Sequence, residues 1–266
     1  MGHSSFTRDV ARRRLRFLIL LALPLFASFS CHRQNPLLTE PVDQLYQAAL
    51  RKMEKKKYYA ARSLLQSLQA RIPQEDRDLL PLVQLKLADS YYLDGGVLNL
   101  GEALAAYRSF LTYYPQREEA AYAQLQVGMS LFGQVLAPDR DQELTVKAIA
   151  EFEKVERLYP ESPYVAQARD QILACREKLA AHELLIGKFY YRRQDYLGAA
   201  DRFRVVLDKY PHYRRTEETL FLLGSCLMAT SNPDEARLYF ARLVHEYPDG
   251  KLAREAQARL KELDKG

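Results

Sequence analysis

Three observations predict an all-α fold, a right-handed superhelical solenoid of five helix pairs. A bulky residue followed by proline recurs as Ile72-Pro73, Tyr114-Pro115, Tyr159-Pro160, Tyr210-Pro211 and Tyr247-Pro248, at intervals of 42, 45, 51 and 37 residues. Such recurrence marks an internal repeat. Aligned on these prolines, the residue twelve positions upstream is Ala61, Ala103, Ala148, Ala199 and Ala236, alanine every time. Leu65, Tyr107, Phe152, Phe203 and Phe240 stand eight upstream, and Leu68, Phe110, Val155, Val206 and Leu243 five upstream. These offsets trace one face of a helix that the proline then ends. The third observation is a small residue on a preceding helix: Ala49, Gly187 and Gly224, each 24 residues before its proline, with Ala88 and Gly128 at 27 and 32. A small residue facing a bulky one lets two helices approach closely.

Composition fits a packed chain. With 48% hydrophobic and 27% charged residues over 266 positions, it is neither disordered nor a multi-span membrane protein. The net charge of +5 is concentrated at the start: Arg8, Arg12, Arg13, Arg14 and Arg16 face only Asp9 within residues 1–30, and the remainder is near neutral. No concentrated surplus remains to neutralise phosphates, so nucleic acid is not an expected partner.

The elements follow in order. Residues 1–30 read as an export signal, an Arg-rich start and an apolar run from Phe17 to Ala27. That run is too short for a bilayer span, which needs roughly 20 apolar residues. Small residues ahead of Cys31 resemble a bacterial lipoprotein signal, in which the thiol takes a diacylglycerol and the new amine is acylated; no other cofactor is expected. Ser28-Phe29-Ser30 also fits an ordinary signal-peptidase site, and lipidation is the favoured reading. The residue after Cys31 is His32, not the Asp that retains many lipoproteins at the inner membrane. Residues 31–41 form an extended tether carrying Pro36 and Pro41, with a reach of roughly 35 Å.

Residues 42–262 hold the repeats, about 42–73, 81–115, 120–160, 163–211 and 214–248, followed by a capping helix at 249–263. The second and third pairs carry insertions of about three and eight residues, at the turn-like Asp94-Gly95-Gly96 and near Pro138-Asp139-Arg140-Asp141. Ser162-Pro163-Tyr164 opens one long helix running to about Arg193. Cys175 and Cys226 fall on neighbouring helices about 14 residues out of step, roughly 21 Å along the axis and beyond disulfide reach. They are read as two small buried residues.

This succession of small residue, alanine, bulky residue and proline resembles the tetratricopeptide repeat, although its usual Trp is absent. A narrower resemblance lies between Asp139 and Pro211. The stretch runs Asp139-Arg140-Asp141-Gln142, Ala148, Phe152, Tyr159-Pro160-Glu161-Ser162-Pro163-Tyr164, Leu179-Ala180-Ala181-His182-Glu183, Phe189-Tyr190, Tyr196, Ala199-Ala200-Asp201-Arg202 and Tyr210-Pro211. It resembles the BamD family, tetratricopeptide lipoproteins of the outer-membrane β-barrel assembly machinery, and the likeness covers essentially the mature chain. The resemblance implies a non-enzymatic scaffold at the periplasmic side of the outer membrane, anchored through Cys31. It implies binding to the POTRA region of a BamA-type barrel protein and to unfolded outer-membrane protein precursors, with other lipoproteins of the machinery as further partners. It also places the family's docking arginine at Arg202. The alternative is another exported repeat scaffold, such as a Tol–Pal envelope coordinator, which usually carries a coiled coil that residues 32–41 lack.

In the repeat register, first-helix residues three before and four after the small contact point inward. They are Tyr46 and Met53, Leu85 and Tyr92, Leu125 and Phe132, Leu184 and Tyr191, Phe221 and Met228; Leu50 and Met129 extend the set. All are apolar or aromatic, suiting an apolar or aromatic segment if they line a groove, and equally suiting helix-to-helix packing. The run Arg51-Lys52-Met53-Glu54-Lys55-Lys56-Lys57 reads as a solvated helix end whose cations complement the dipole, the alternative being contact with an anionic membrane or a partner's acidic patch. His3, His32, His182, His212 and His245 lack metal-ligand spacing, and Gly128-Met129-Ser130-Leu131-Phe132 is no nucleophile elbow. No catalytic, metal or phosphate-binding motif is found.

Overall fold

The computed structural model describes residues 40–135 and 137–265; the signal peptide, Cys31 and the tether as far as residue 39 lie outside the described residues. From Val42 onward the chain is one compact unit, and its regular elements among the described residues are all helices. The pairs are α1 (Val42–Glu54) with α2 (Tyr58–Arg71), α3 (Leu79–Asp94) with α4 (Gly96–Tyr113), α5 (Ala120–Phe132) with α6 (Glu143–Leu158), α7 (Tyr164–Arg192) with α8 (Tyr196–Lys209), and α9 (Thr216–Ala229) with α10 (Pro233–Glu246). A closing helix, α11 (Ala253–Leu263), follows. Each helix packs on its predecessor and successor, and α5 also touches α7.

The proline rule is visible in the backbone. The second helix of each pair ends at the residue before proline: Ile72, Tyr114, Tyr159, Tyr210 and Tyr247, with ψ of 132°, 50°, 57°, 59° and 57°. All five have left the helical region, as a following proline demands. Their amides still donate to the carbonyls of Leu68, Phe110, Val155, Val206 and Leu243. The last turn is therefore satisfied although the helix stops.

The repeat alanines Ala61, Ala103, Ala148, Ala199 and Ala236 are fully buried, as are Leu65, Tyr107, Phe152, Phe203 and Phe240. A methyl placed on Gly128 would stand 2.5 Å from Phe152, and one on Gly224 2.8 Å from Phe240; Gly187 is crowded in the same way by Phe203. The absent side chain is what allows the ring to lie against the backbone.

The insertions take two forms. Gly95 and Gly96, with φ of 72° and 78°, make a tight reversal, and the extra residues lengthen α4 to 18 residues against 14 in α2, α8 and α10. The third pair uses a connection from Gly133 to Gln142. There the Gln142 amide donates to the Ala137 and Arg140 carbonyls while accepting from Thr145. The long helix α7 has 29 residues, about 44 Å, and serves two pairs. Its first half, Val165 to Cys175, packs with Phe152 and Val155; its second, Ala180 and Leu184, packs with Ala199 and Phe203. The closing helix starts at Ala253, four residues after the sequence-based start, because Glu217 of α9 accepts the Leu252 amide at 2.7 Å and fixes a turn there. Cys175 and Cys226 are free and buried, and burial pushes each thiol up to about 12.

Candidate functional site

From α3 to α9 the first helices of successive pairs touch one another. Between α3 and α5 the Tyr122 hydroxyl donates to Asp89 at 2.9 Å. Between α5 and α7, the Tyr122 and Tyr164 rings meet at a tilt of 54° with centroids 5.5 Å apart, and Lys178 lies 5.5 Å from the Phe132 ring. Between α7 and α9, Lys188 pairs with Glu218.

The inward residues of the first helices divide into two groups. Leu85, Leu125 and Leu184 are closed off at 5%, 1% and 1% exposure and pack inside the helix pairs with Tyr107, Phe152 and Phe203. In this arrangement a ligand would not reach them. Tyr46, Leu50, Met53, Tyr92, Met129 and Phe132 are half-buried, so each keeps some surface. Tyr191, Phe221 and Met228 do the same in the last two pairs. Burial raises the pKa of the Tyr46 and Tyr92 phenols.

The inward set is not purely apolar, because it extends to positions the stripe did not include. Asp89, one residue after the small contact Ala88, is 4% exposed. Its Oδ1 accepts from Tyr107 at 2.7 Å and from Tyr122, while Oδ2 accepts from Lys86 at 2.8 Å. Burial would lower the Lys86 pKa, but the charge and hydrogen bond of Asp89 outweigh it and leave it raised. Burial, then the field of Asp89, raises both Tyr107 and Tyr122. Lys86 and Asp89 at i, i+3 in a largely apolar helix are the sequence signal for this cluster. The result is a polar clasp spanning α3, α4 and α5, with its lysine facing Tyr46 and Tyr164.

Arg202 lies on α8 with its side chain 42% exposed, and Nη1 donates to Glu183 of α7 at 3.1 Å. Glu183 thus holds the guanidinium while leaving much of it open. Burial, then the Glu183 charge, raises the Tyr210 pKa. Tyr210 in turn lines a cleft of about 580 Å³ with Leu173, Arg176, Glu177, His212 and Tyr213. Arg202, Glu183 and the cleft therefore form one neighbourhood between α7 and α8. Among the described residues no group of His, Cys, Asp and Glu is placed to hold a metal ion, and no helix is long and apolar enough to cross a membrane.

Comparison with known proteins extends this picture. Residues 218–250 match a tetratricopeptide repeat family. A thermophilic tetratricopeptide protein of Thermus thermophilus aligns over 84% of this chain and 98% of its own, with TM-score 0.36 and 16% identity. The outer membrane protein assembly factor BamD of Rickettsia prowazekii is 26% identical over 237 residues, 89% of this chain and 92% of that protein. The BamD of Caulobacter vibrioides is 30% identical over 55% of this chain and 48% of its own length. That of Neisseria gonorrhoeae is 27% identical over 73% and 75%. Residues 39–231, from before α1 to just past α9, match the outer membrane lipoprotein family YfiO, and the chain belongs to that family.

Proposed function

We propose that this chain is a lipid-anchored scaffold of outer-membrane protein assembly, working at the periplasmic side by binding rather than by covalent chemistry. The match to the outer membrane lipoprotein family from residue 39 to 231 carries the reading, since it spans the first four helix pairs and enters the fifth. It also favours this role over a Tol–Pal coordinator. Cys31 is the attachment point in this reading, and two or three acyl chains there would make membrane attachment stable at about 0.8 kcal/mol per buried methylene.

Arg202 is the proposed docking residue for the POTRA region of a BamA-type barrel protein. A guanidinium already oriented by Glu183 loses little freedom when a partner carboxylate takes its open edge. The cleft beside Tyr210 offers an apolar wall and Arg176 to the same partner surface. The half-buried set Tyr46, Leu50, Met53, Tyr92, Met129 and Phe132 is the proposed contact for an aromatic-ended precursor segment, with Leu85 and Leu125 as its buried support.

Co-purification in detergent tests the docking. Arg202→Glu should abolish recovery of the barrel protein. Because the new carboxylate would also face Glu183, Arg202→Ala and Glu183→Gln are run beside it: the first should weaken recovery, the second should leave most of it. Unchanged recovery with Arg202→Ala and Arg202→Glu would retire the assignment. The mass of the N-terminal peptide from the same preparation reports acylation of Cys31.

A further inference from the structure

The turn joining the two helices of the first pair gathers cations that form no ion pair among the described residues. Arg51, Lys52, Lys55, Lys56 and Lys57 stand against one carboxylate, Glu54. On a continuing helix they would fan out around the axis, about 100° apart. Instead the chain reverses: Lys56 has φ 55°, its amide donates to Met53 and the Lys57 amide donates to Lys52, both at 2.9 Å. The reversal brings Lys55 and Lys57 back beside Arg51 and Lys52, and these four with Ala48 line an open cleft of about 290 Å³ that has no carboxylate in its wall. Several lysines elsewhere are paired, Lys86 with Asp89, Lys147 with Glu143, Lys154 with Glu151 and Lys188 with Glu218. Among the described residues the five cations of this turn have no such partner.

Apolar residues continue the same edge. Tyr59, in the first turn of α2, is 76% exposed. Its ring lies 5.9 Å from Arg62, which binds Asp94 at 2.6 Å at the end of α3. Just beyond Asp94, Val97 and Leu98 are 62% and 87% exposed. Arg62 therefore links the cation cleft, through Tyr59, to an exposed aliphatic tip. Cations alone would suit an acidic protein patch equally well. Cations joined to an exposed tyrosine and aliphatic tip suit a lipid interface, where phosphates meet lysines, aromatic rings sit at headgroup level and aliphatic side chains go beneath.

We infer that this edge of the first two helix pairs rests on an anionic lipid surface, the Arg51–Lys57 cleft taking headgroup phosphates while Tyr59, Val97 and Leu98 enter the interfacial region. The membrane role of the family supplies the surface, and the contact fixes which edge of the array faces it. The inference concerns the first two pairs and is independent of docking at Arg202, so either can fail alone.

The test uses the processed full-length protein in vesicles, with an environment-sensitive dye on Leu98→Cys. The dye site is verified by mass, and the buried Cys175 and Cys226 stay unlabelled. A second preparation carries the dye on Gln116→Cys, at the other end of α4. In vesicles of phosphatidylcholine with about 30% phosphatidylglycerol, the dye at 98 should report an apolar environment and the dye at 116 should stay aqueous. Raising the salt of the otherwise unchanged sample to about 0.5 M should reverse the signal. Replacing Lys52, Lys55 and Lys57 by Gln should weaken contact about fivefold per lysine, with the helical circular dichroism signal intact. An equal response in pure phosphatidylcholine, or no response in the anionic vesicles, overturns the inference, the latter result leaving the cleft to an acidic protein. Protection of the lysines from acylating reagents by inorganic phosphate, without any vesicle response at 98, assigns the cleft to free phosphate and overturns it as well.

Discussion

At Gly128, hydrogen in place of a methyl decides whether two helices fit. A Cβ there would stand 2.5 Å from Phe152, and both residues are fully enclosed, so neither can move without disturbing its neighbours. Gly128→Ala should therefore destabilise by about 1–3 kcal/mol, despite the roughly 1 kcal/mol that alanine gains in helix propensity. The first pair shows the remedy, since at the matching positions it has Ala49 and the smaller Leu65, both fully buried. Phe152→Leu added to Gly128→Ala should recover part of the loss, and a double-mutant cycle in urea should give a favourable coupling. Additive losses would deny that these residues are matched. A second residue-scale prediction concerns pH. Burial raises the Cys175 and Cys226 thiols to about 12, and burial with the field of Asp89 raises Tyr107 and Tyr122 above the ordinary phenol value. In each case the folded chain keeps its proton to higher pH than the unfolded chain does. Stability is then full below about pH 8.5 and falls as pH rises through 9 to 12. Melting temperature measured from pH 7 to 11 should show that fall. Tyr107→Phe should cost about 1–2 kcal/mol at pH 7, through the lost hydrogen bond to Asp89, yet flatten the decline above pH 10.

Elements were legible where each repeat carries its own instruction. Five prolines end five helices and five alanines sit at the crossing points, because the small-against-bulky contact and the pre-proline restriction are local enough to be written in consecutive residues. The long α7 was legible for the same reason, from Pro163 and an uninterrupted pattern. The clasp of Lys86, Asp89, Tyr107 and Tyr122 was not, since it exists only once three helices meet and its residues fall between the positions of the apolar stripe. Three of the twelve inward residues also shifted in meaning: spacing gave the face, but only packing separated enclosed Leu85, Leu125 and Leu184 from half-open residues such as Tyr92 and Phe132. Arg202 was visible solely through resemblance, because a half-exposed arginine on a helix leaves no mark in one sequence. The element α4 offers a test with opposite signs. Gly96 opens it at φ 78° and Gly101 lies inside it in ordinary helical geometry, and a methyl at either would meet nothing within 4 Å. Gly96→Ala should then cost about 1 kcal/mol through the backbone alone, while Gly101→Ala should gain about 0.5–1 kcal/mol. Thermal melts of the two variants should move in opposite directions.

Among the described residues most contacts run between sequential helices, and α5 against α7 is the most extensive of those that do not. A stack of this kind behaves as a chain of neighbours, in which stability is lent only to adjacent units. The third and fourth pairs depart from that rule because α7 belongs to both: Ile172 and Cys175 lie in the core of one, Ala180 and Leu184 in that of the other, with no break in the helix between. Lys178 and His182 further tie the middle of α7 to the α5–α6 connection through the carbonyls of Val135 and Pro138. Opening either pair must therefore strain the other. Hydrogen exchange should find amides of α5 to α8 protected as one cooperative unit, with α1 and α2 exchanging separately. Phe240→Ala, which empties the core of the fifth pair at a cost of about 3–5 kcal/mol, should raise exchange in α9 to α11 and leave α1 to α4 unchanged. If a loss at Phe240 instead raised exchange evenly from α1 to α11, the array would be a single cooperative body. A partner docked at Arg202 would then stabilise the distant first pairs, where the neighbour-by-neighbour stack allows no such reach.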